Sequence, residues 1–230
     1  SVAGRAVSAV IASGAMPVAM ELMDKLAVEA VESGPYAAGL PKDAEAILLI
    51  QVEGSPPGAK EEAAKVAEVL RRNGAVGVEV VEAPARAAKI WAARKQAFGA
   101  MGFVGPNYVV EDGTIPRKKL AEALMIARAA GAKRGLRVAN VFHAGDGNLH
   151  PLILYDERKP GEREKAIEAG EEILEACVEL GGTITGEHGV GYMKKKLLPK
   201  MYKREEIELM KAIKAVFDPK GLMNPGKIFP

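Results

Sequence analysis

Residues 138–155 read VANVFHAGDGNLHPLILY. Two apolar stretches, 138–142 and 149–155, flank the dipeptide Asp146-Gly147. Asp-Gly between apolar runs signals a β-hairpin, because a type I′ turn needs positive φ at both central residues. The pattern predicts two antiparallel strands with Asp146-Gly147 at the tip, Gly145 opposite Asn148 and His143 opposite His150. Directly opposed residues have Cβ atoms about 4.5–5.5 Å apart, close enough for two imidazoles to grip one divalent ion. A slip of one residue would send the two rings to opposite faces of the sheet.

Working outward, Pro116 opens a helical stretch at 117–133 that closes at Gly135, and a second at 162–180 stops at Gly181-Gly182. Both have apolar residues at helical spacing. Short apolar runs at 108–111 and 183–185 read as strands. From 107 to 185 the order is therefore strand, helix, strand, strand, helix, strand, the split βαβ or ferredoxin-like pattern. Upstream, a helix at 3–12, strands at 17–23 and 46–52, a helix at 60–73 and a strand at 77–82 repeat that order without its first strand. A helical stretch at 24–31 lies between those two strands, a helix at 84–100 joins the halves and one at 204–216 follows them. The expected fold class is α+β: duplicated ferredoxin-like split-βαβ units with an antiparallel sheet, the first strand missing. The halves are about 1–83 and 84–217, with a tail at 218–230. Helices on one face of the sheet would leave the other free for a ligand or second domain.

The 230 residues are 48% hydrophobic, enough for a sizeable core, and carry a formal net charge of +2. That balance excludes a general nucleic-acid binder, which carries a basic stripe. The locally basic run from Lys194-Lys195-Lys196 to Lys203-Arg204 reads as a solvated helix face. The lone Cys177 excludes an intrachain disulfide and fits a reducing compartment. Lying among Ile173, Leu174 and Val178, it reads as a buried small hydrophobe. No apolar run is long enough to span a bilayer and no signal-peptide pattern is visible. The expectation is a cytoplasmic protein or a piece of one.

All three histidines lie in the hairpin or in Gly186-Glu187-His188-Gly189-Val190-Gly191. The glycines of that second segment permit φ values that let neighbouring side chains converge. Glu187 would complete a two-histidine, one-carboxylate set with His143 and His150, which suits Zn, Mn or Fe(II) with positions left open. His188 would remain as a general base, since imidazole titrates near neutrality. From the residues alone a self-sufficient metalloenzyme and a non-catalytic ferredoxin-like binding module both stand.

HAGDGNLHP, TGEHGVG and the tail DPKGLMNPGKIFP, with Trp91-Ala92-Ala93-Arg94-Lys95 ahead of Asp112-Gly113-Thr114-Ile115-Pro116, carry a further signal. Together they resemble the C-terminal substrate, or cap, domain of FAD-linked oxidases of the vanillyl-alcohol-oxidase type, nearest to glycolate oxidase flavoprotein subunits and D-lactate dehydrogenases. The resemblance implies that His143, His150 and Glu187 hold a divalent metal in the members that use one. It implies that His188 removes the hydroxyl proton of a small D-2-hydroxy acid while hydride leaves for FAD. Arg94 would clamp the substrate carboxylate and Asn224 would approach the flavin. In some relatives a lysine precedes the aspartate; here Val109, Val110 and Glu111 stand before Asp112, which favours a small substrate such as glycolate or lactate over a dicarboxylate. FAD itself would sit on an N-terminal domain that these residues lack, for no G-x-G-x-x-G occurs. The resemblance further implies an iron–sulfur partner subunit, peripheral association with the inner face of the membrane, and an isolated domain without turnover of its own.

Overall fold

The structure, a computed structural model, describes residues 2–230. The elements run α1 (Val2–Ala12), β1 (Ala19–Asp24), α2 (Lys25–Glu32), β2 (Ala46–Gln51), α3 (Pro56–Arg72), α4 (Pro84–Lys95), α5 (Ala97–Ala100), β3 (Asn107–Val110), β4 (Gly113–Thr114), α6 (Leu120–Ala132), β5 (Arg137–Phe142), β6 (Asn148–Leu149), β7 (Pro151–Tyr155), α7 (Glu162–Glu179), α8 (Leu198–Met201) and α9 (Arg204–Phe217). Helices and an antiparallel sheet mix, as an α+β chain requires. Five strands form one sheet in the order β2-β1-β5-β7-β3, with every neighbour antiparallel. No helix of the described residues is long and apolar enough to cross a membrane.

Side chains alternate across this sheet, so each strand feeds two cores. Leu22, Val138 and Ile153 point into one, built with α1, α3, α6 and α7. Met23, Ala139, Leu152 and Leu154 point into the other, built with α2, α4 and α5. The second face is thus covered by helices, which corrects the expectation of a bare face. Ala27, Val28, Ala30 and Val31 of α2 and Ala93 of α4 are fully buried there. Asp24 starts α2 by accepting from the Ala27 N–H at 3.2 Å.

The strand expected at 77–82 does not form; the segment has no regular secondary structure. In the ferredoxin-like order its partner would be the repeat's first strand, and among the described residues no strand lies on the outer side of β2. Alternating residues do not make a strand without an edge to join. The stretch at 183–185 contributes only one bridge, Thr183 to Thr114. That bridge joins a small ribbon of β4 and β6, in which Gly113 faces Leu149 and Thr114 faces Asn148. The ribbon continues the β3–β7 register past the end of the main sheet and carries the loop after α7 toward the hairpin.

Gly182 makes this crossing possible. A Cβ there would stand 1.8 Å from the Thr114 carbonyl oxygen. Gly182→Ala is expected to destabilise the fold by at least ~1–3 kcal/mol through overpacking against backbone, read as a lower urea midpoint at constant slope.

Candidate active site

The hairpin takes a different register from the expected one. His143 pairs with Asn148, its N–H donating to the Asn148 carbonyl at 3.0 Å. The connection is therefore the four residues Ala144-Gly145-Asp146-Gly147, and of Asp146 and Gly147 only Gly147 has positive φ. Neighbouring chain sets this wider loop: the Gly145 N–H donates to the Met20 carbonyl at 3.0 Å and the Ile115 N–H to the Gly147 carbonyl at 2.9 Å. Asn140 faces Pro151, so His150 lies opposite Val141 rather than His143. The shift from the expected pairing is two residues, and an even slip keeps the same face. The two imidazoles are diagonal neighbours with ring centroids 5.1 Å apart.

Each ring is held from behind. His143 Nδ1 lies 2.9 Å from Glu21 Oε1 on β1, and His150 Nδ1 lies 3.3 Å from the Glu111 carbonyl. Both rings then turn Nε2 toward one oxygen of Glu187, at 3.6 Å from His143 and 2.9 Å from His150. The His188 ring stacks on that of His150, centroids 5.2 Å apart and 17° from parallel. The structure thus brings together His143, His150, Glu187 and His188. The hydrogen bond to Glu21, reinforced by its charge, raises the His143 pKa against the effect of burial. Burial lowers that of His150.

Arg94 projects from the last turn of α4 and is only 6% exposed. Its Nε and Nη2 donate to Glu21 Oε2 at 3.0 and 2.6 Å. One carboxylate therefore links Arg94 to His143. Burial raises the Glu21 pKa, but His143 and Arg94 together outweigh it and the net shift is downward. Asn224 stands in an exposed tail with φ of 47°. That tail is tied back by Ile228 N–H to the Gly191 carbonyl at 2.7 Å and by Phe229 packed beside Ile184, Leu197 and Ile207.

Sequence reasoning missed the residue that shapes the glycine loop. Asp112, fully buried, accepts from Thr185 Oγ1 at 2.7 Å and from the N–H groups of Gly186, Glu187 and His188 at 3.0, 3.1 and 2.8 Å. Burial alone would raise its pKa; these donors and Lys194 hold it well below the usual carboxylate range. Lys194 is itself buried, 3.5 Å from Asp112, which corrects its reading as a solvated lysine. Lys196 and Lys200, still exposed, pair with Glu171 and Glu175 of α7. Burial, partly offset by Lys194, pushes Glu111 up to about 7. Cys177 is buried as expected, its thiol pushed up to about 12 by burial.

Two donor sets overlap here. His143, His150 and Glu187 form one; Asp112, His150, Glu187 and His188, with one ligand atom each lying within 4.8 Å of the others, form the second. Asp112 Oδ2 is already engaged by the loop donors and Lys194, which favours the first. Asn148 lies beside it, its Nδ2 3.4 Å from Glu187 Oε1 and its Oδ1 buried without a partner. A buried acceptor without a donor is uncommon, and here it adds unspent polar capacity next to the carboxylate. Orienting acceptors behind both imidazoles, converging Nε2 atoms, a carboxylate and a spare acceptor fit a divalent cation.

The comparisons with known proteins bear on the chain as a whole. The family described as FAD linked oxidases, C-terminal domain, matches residues 1–228. Glycolate oxidase subunit GlcD of Escherichia coli (strain K12) is 46% identical over 99% of this chain and 46% of its own length. The same-named subunit of Bacillus subtilis (strain 168) is 38% identical over 99% of this chain and 48% of its own. The chain thus spans about half the length of these relatives. Among solved structures, substrate-bound p-cresol methylhydroxylase superposes with a TM-score of 0.69 at 17% identity, over 98% of this chain and 50% of that one; this likeness is one of fold. With nearly every residue inside the matched region, the chain belongs to the C-terminal domain family of FAD linked oxidases.

Proposed function

We propose that the chain is the substrate-side domain of an FAD-dependent oxidoreductase acting on a small D-2-hydroxy acid of the glycolate or D-lactate class. The observation that supports it most is the pair of imidazoles held at Nδ1, with both Nε2 atoms aimed at one Glu187 oxygen. His143, His150 and Glu187 would hold a divalent ion, Zn, Mn or Fe; bound there, it supplies Lewis-acid polarisation of the hydroxy acid, and FAD supplies the hydride acceptor. The chain's own residues do the rest. His188, exposed and stacked on His150, takes the hydroxyl proton. Arg94 binds the substrate carboxylate through N–H groups that Glu21 does not use. Phe98, its ring 5.9 Å from that of His150, limits water on the buried side.

The flavin would rest mainly on residues outside these 230, with the exposed tail around Asn224 meeting it at an edge. The name of the relatives, a subunit, supports a further subunit, and we propose for it an iron–sulfur protein at the inner face of the membrane. The strand order supports duplication: α1-β1-β2-α3 and α6-β5-β7-α7 repeat one motif, joined where β1 meets β5.

The test is removal of the cation. A chelator is expected to abolish turnover of glycolate or D-lactate by the flavin-loaded enzyme, with recovery on adding Mn²⁺ or Zn²⁺. His150→Ala should prevent that recovery. Turnover by the chain and metal with flavin absent would select a self-sufficient metalloenzyme instead.

A further inference from the structure

We propose that Glu21 is a positioning residue through which Arg94 acts on the cation site: one carboxylate oxygen fixes the tautomer of His143 and the other is anchored by Arg94. This rests on His143 being a cation ligand. Glu21 lies in β1 between Met20 and Leu22, which point to the opposite core. A carboxylate 8% exposed in such a strand is costly unless paired. Its partners are Arg94 through Nε and Nη2, at 3.0 and 2.6 Å, and His143 Nδ1 at 2.9 Å.

The tautomer follows from hydrogen-bond roles. A carboxylate oxygen accepts, so His143 donates from Nδ1, and in the neutral ring this leaves the lone pair on Nε2. Nε2 is the atom that faces Glu187. Without Glu21 either tautomer is open to His143, and a share of molecules turns an N–H toward the cation. Arg94 fixes the orientation of Glu21 by donating to Oε2 through Nε and Nη2, so its influence reaches the cation through Glu21 even though it is not itself a ligand. His150 Nδ1 faces the Glu111 backbone carbonyl at 3.3 Å, an acceptor that no side-chain substitution can remove. Glu21 is thus the member of this outer layer that mutation can address.

The experiment titrates Mn²⁺ into the full chain by calorimetry and records the imidazole ¹⁵N spectrum. Glu21→Gln, of the same shape, is expected to weaken Mn²⁺ by 10–100-fold, the usual cost of removing such a partner. The His143 signals should move from a pure Nδ1-protonated pattern to a mixed one, a change that loss of packing alone would not produce. Arg94→Gln should weaken Mn²⁺ in the wild-type background and have no further effect beside Glu21→Gln, because contacts in one network are non-additive. If Arg94→Gln does not fold, Arg94→Lys serves the same cycle. Unchanged affinity and tautomer in Glu21→Gln, with His143→Ala still losing Mn²⁺, would overturn the proposal and leave the cation site intact. Additive losses would remove Arg94 from the relay. Normal Mn²⁺ binding by His143→Ala would instead overturn the reading of the site itself.

Discussion

Replacing His188 with alanine in the flavin-loaded enzyme is expected to lower kcat by about 10²–10⁴-fold, the usual contribution of a positioned general base. The expectation rests on the different environments of the three rings. His143 and His150 are both engaged at Nδ1 and both face Glu187 at Nε2. His188 is placed by its backbone, whose N–H donates to Asp112 at 2.8 Å, while its ring lies exposed against His150. A ring positioned without being consumed can accept a proton and pass it to solvent. The variant should therefore keep the cation affinity of the wild type while its kcat falls. Equal falls in kcat and in Mn²⁺ affinity would show that His188 is a ligand, and the second donor set, with Asp112, would then be the better description.

Why the cluster was legible before the structure, although its register was not, follows from the geometry of sheets. The Asp146-Gly147 signal marks a hairpin correctly, but the loop length is decided by Met20 and Ile115, distant residues that bond to Gly145 and Gly147. Parity survived because the slip was even. The helices over the second face could not be inferred from 24–31 and 84–100 alone, since an amphipathic stripe does not say which side of a sheet it covers. Glu21 did leave a signal, a carboxylate inside the apolar run PVAMELM. Asp112 left less, because an Asp-Gly pair after a strand reads as a turn. Its role depends on a loop more than seventy residues later, and Lys194 reaches it from farther still. Long-range polar contacts of this kind have no periodicity to betray them.

Asp112→Ala is expected to be the most damaging single change to the fold of the site. It strips the acceptor from the Thr185 hydroxyl, from three consecutive backbone N–H groups and from the buried Lys194 ammonium. Removing one partner from a buried charged network costs about 3–5 kcal/mol, out of a typical total of about 5–15 kcal/mol. For a chain of this size that corresponds to roughly 6–20 °C in Tm. Asp112→Asn keeps the shape and separates charge from packing. The direction with pH follows from the depressed pKa of Asp112 in the folded state. The folded form binds fewer protons than the unfolded one, so this contribution is complete above the ordinary carboxylate range. It fades as pH falls below about 4, toward the depressed value. The wild type should lose protection of the 186–188 amides in acid, measured by hydrogen exchange, before the main sheet opens. In Asp112→Asn those amides should exchange fast at neutral pH and show little further change on acidification. Because the same loop carries Glu187 and His188, cation affinity and turnover should fall with it. An Asn variant whose loop protection and acid response match the wild type would mean that the glycines, and not the aspartate, set the loop.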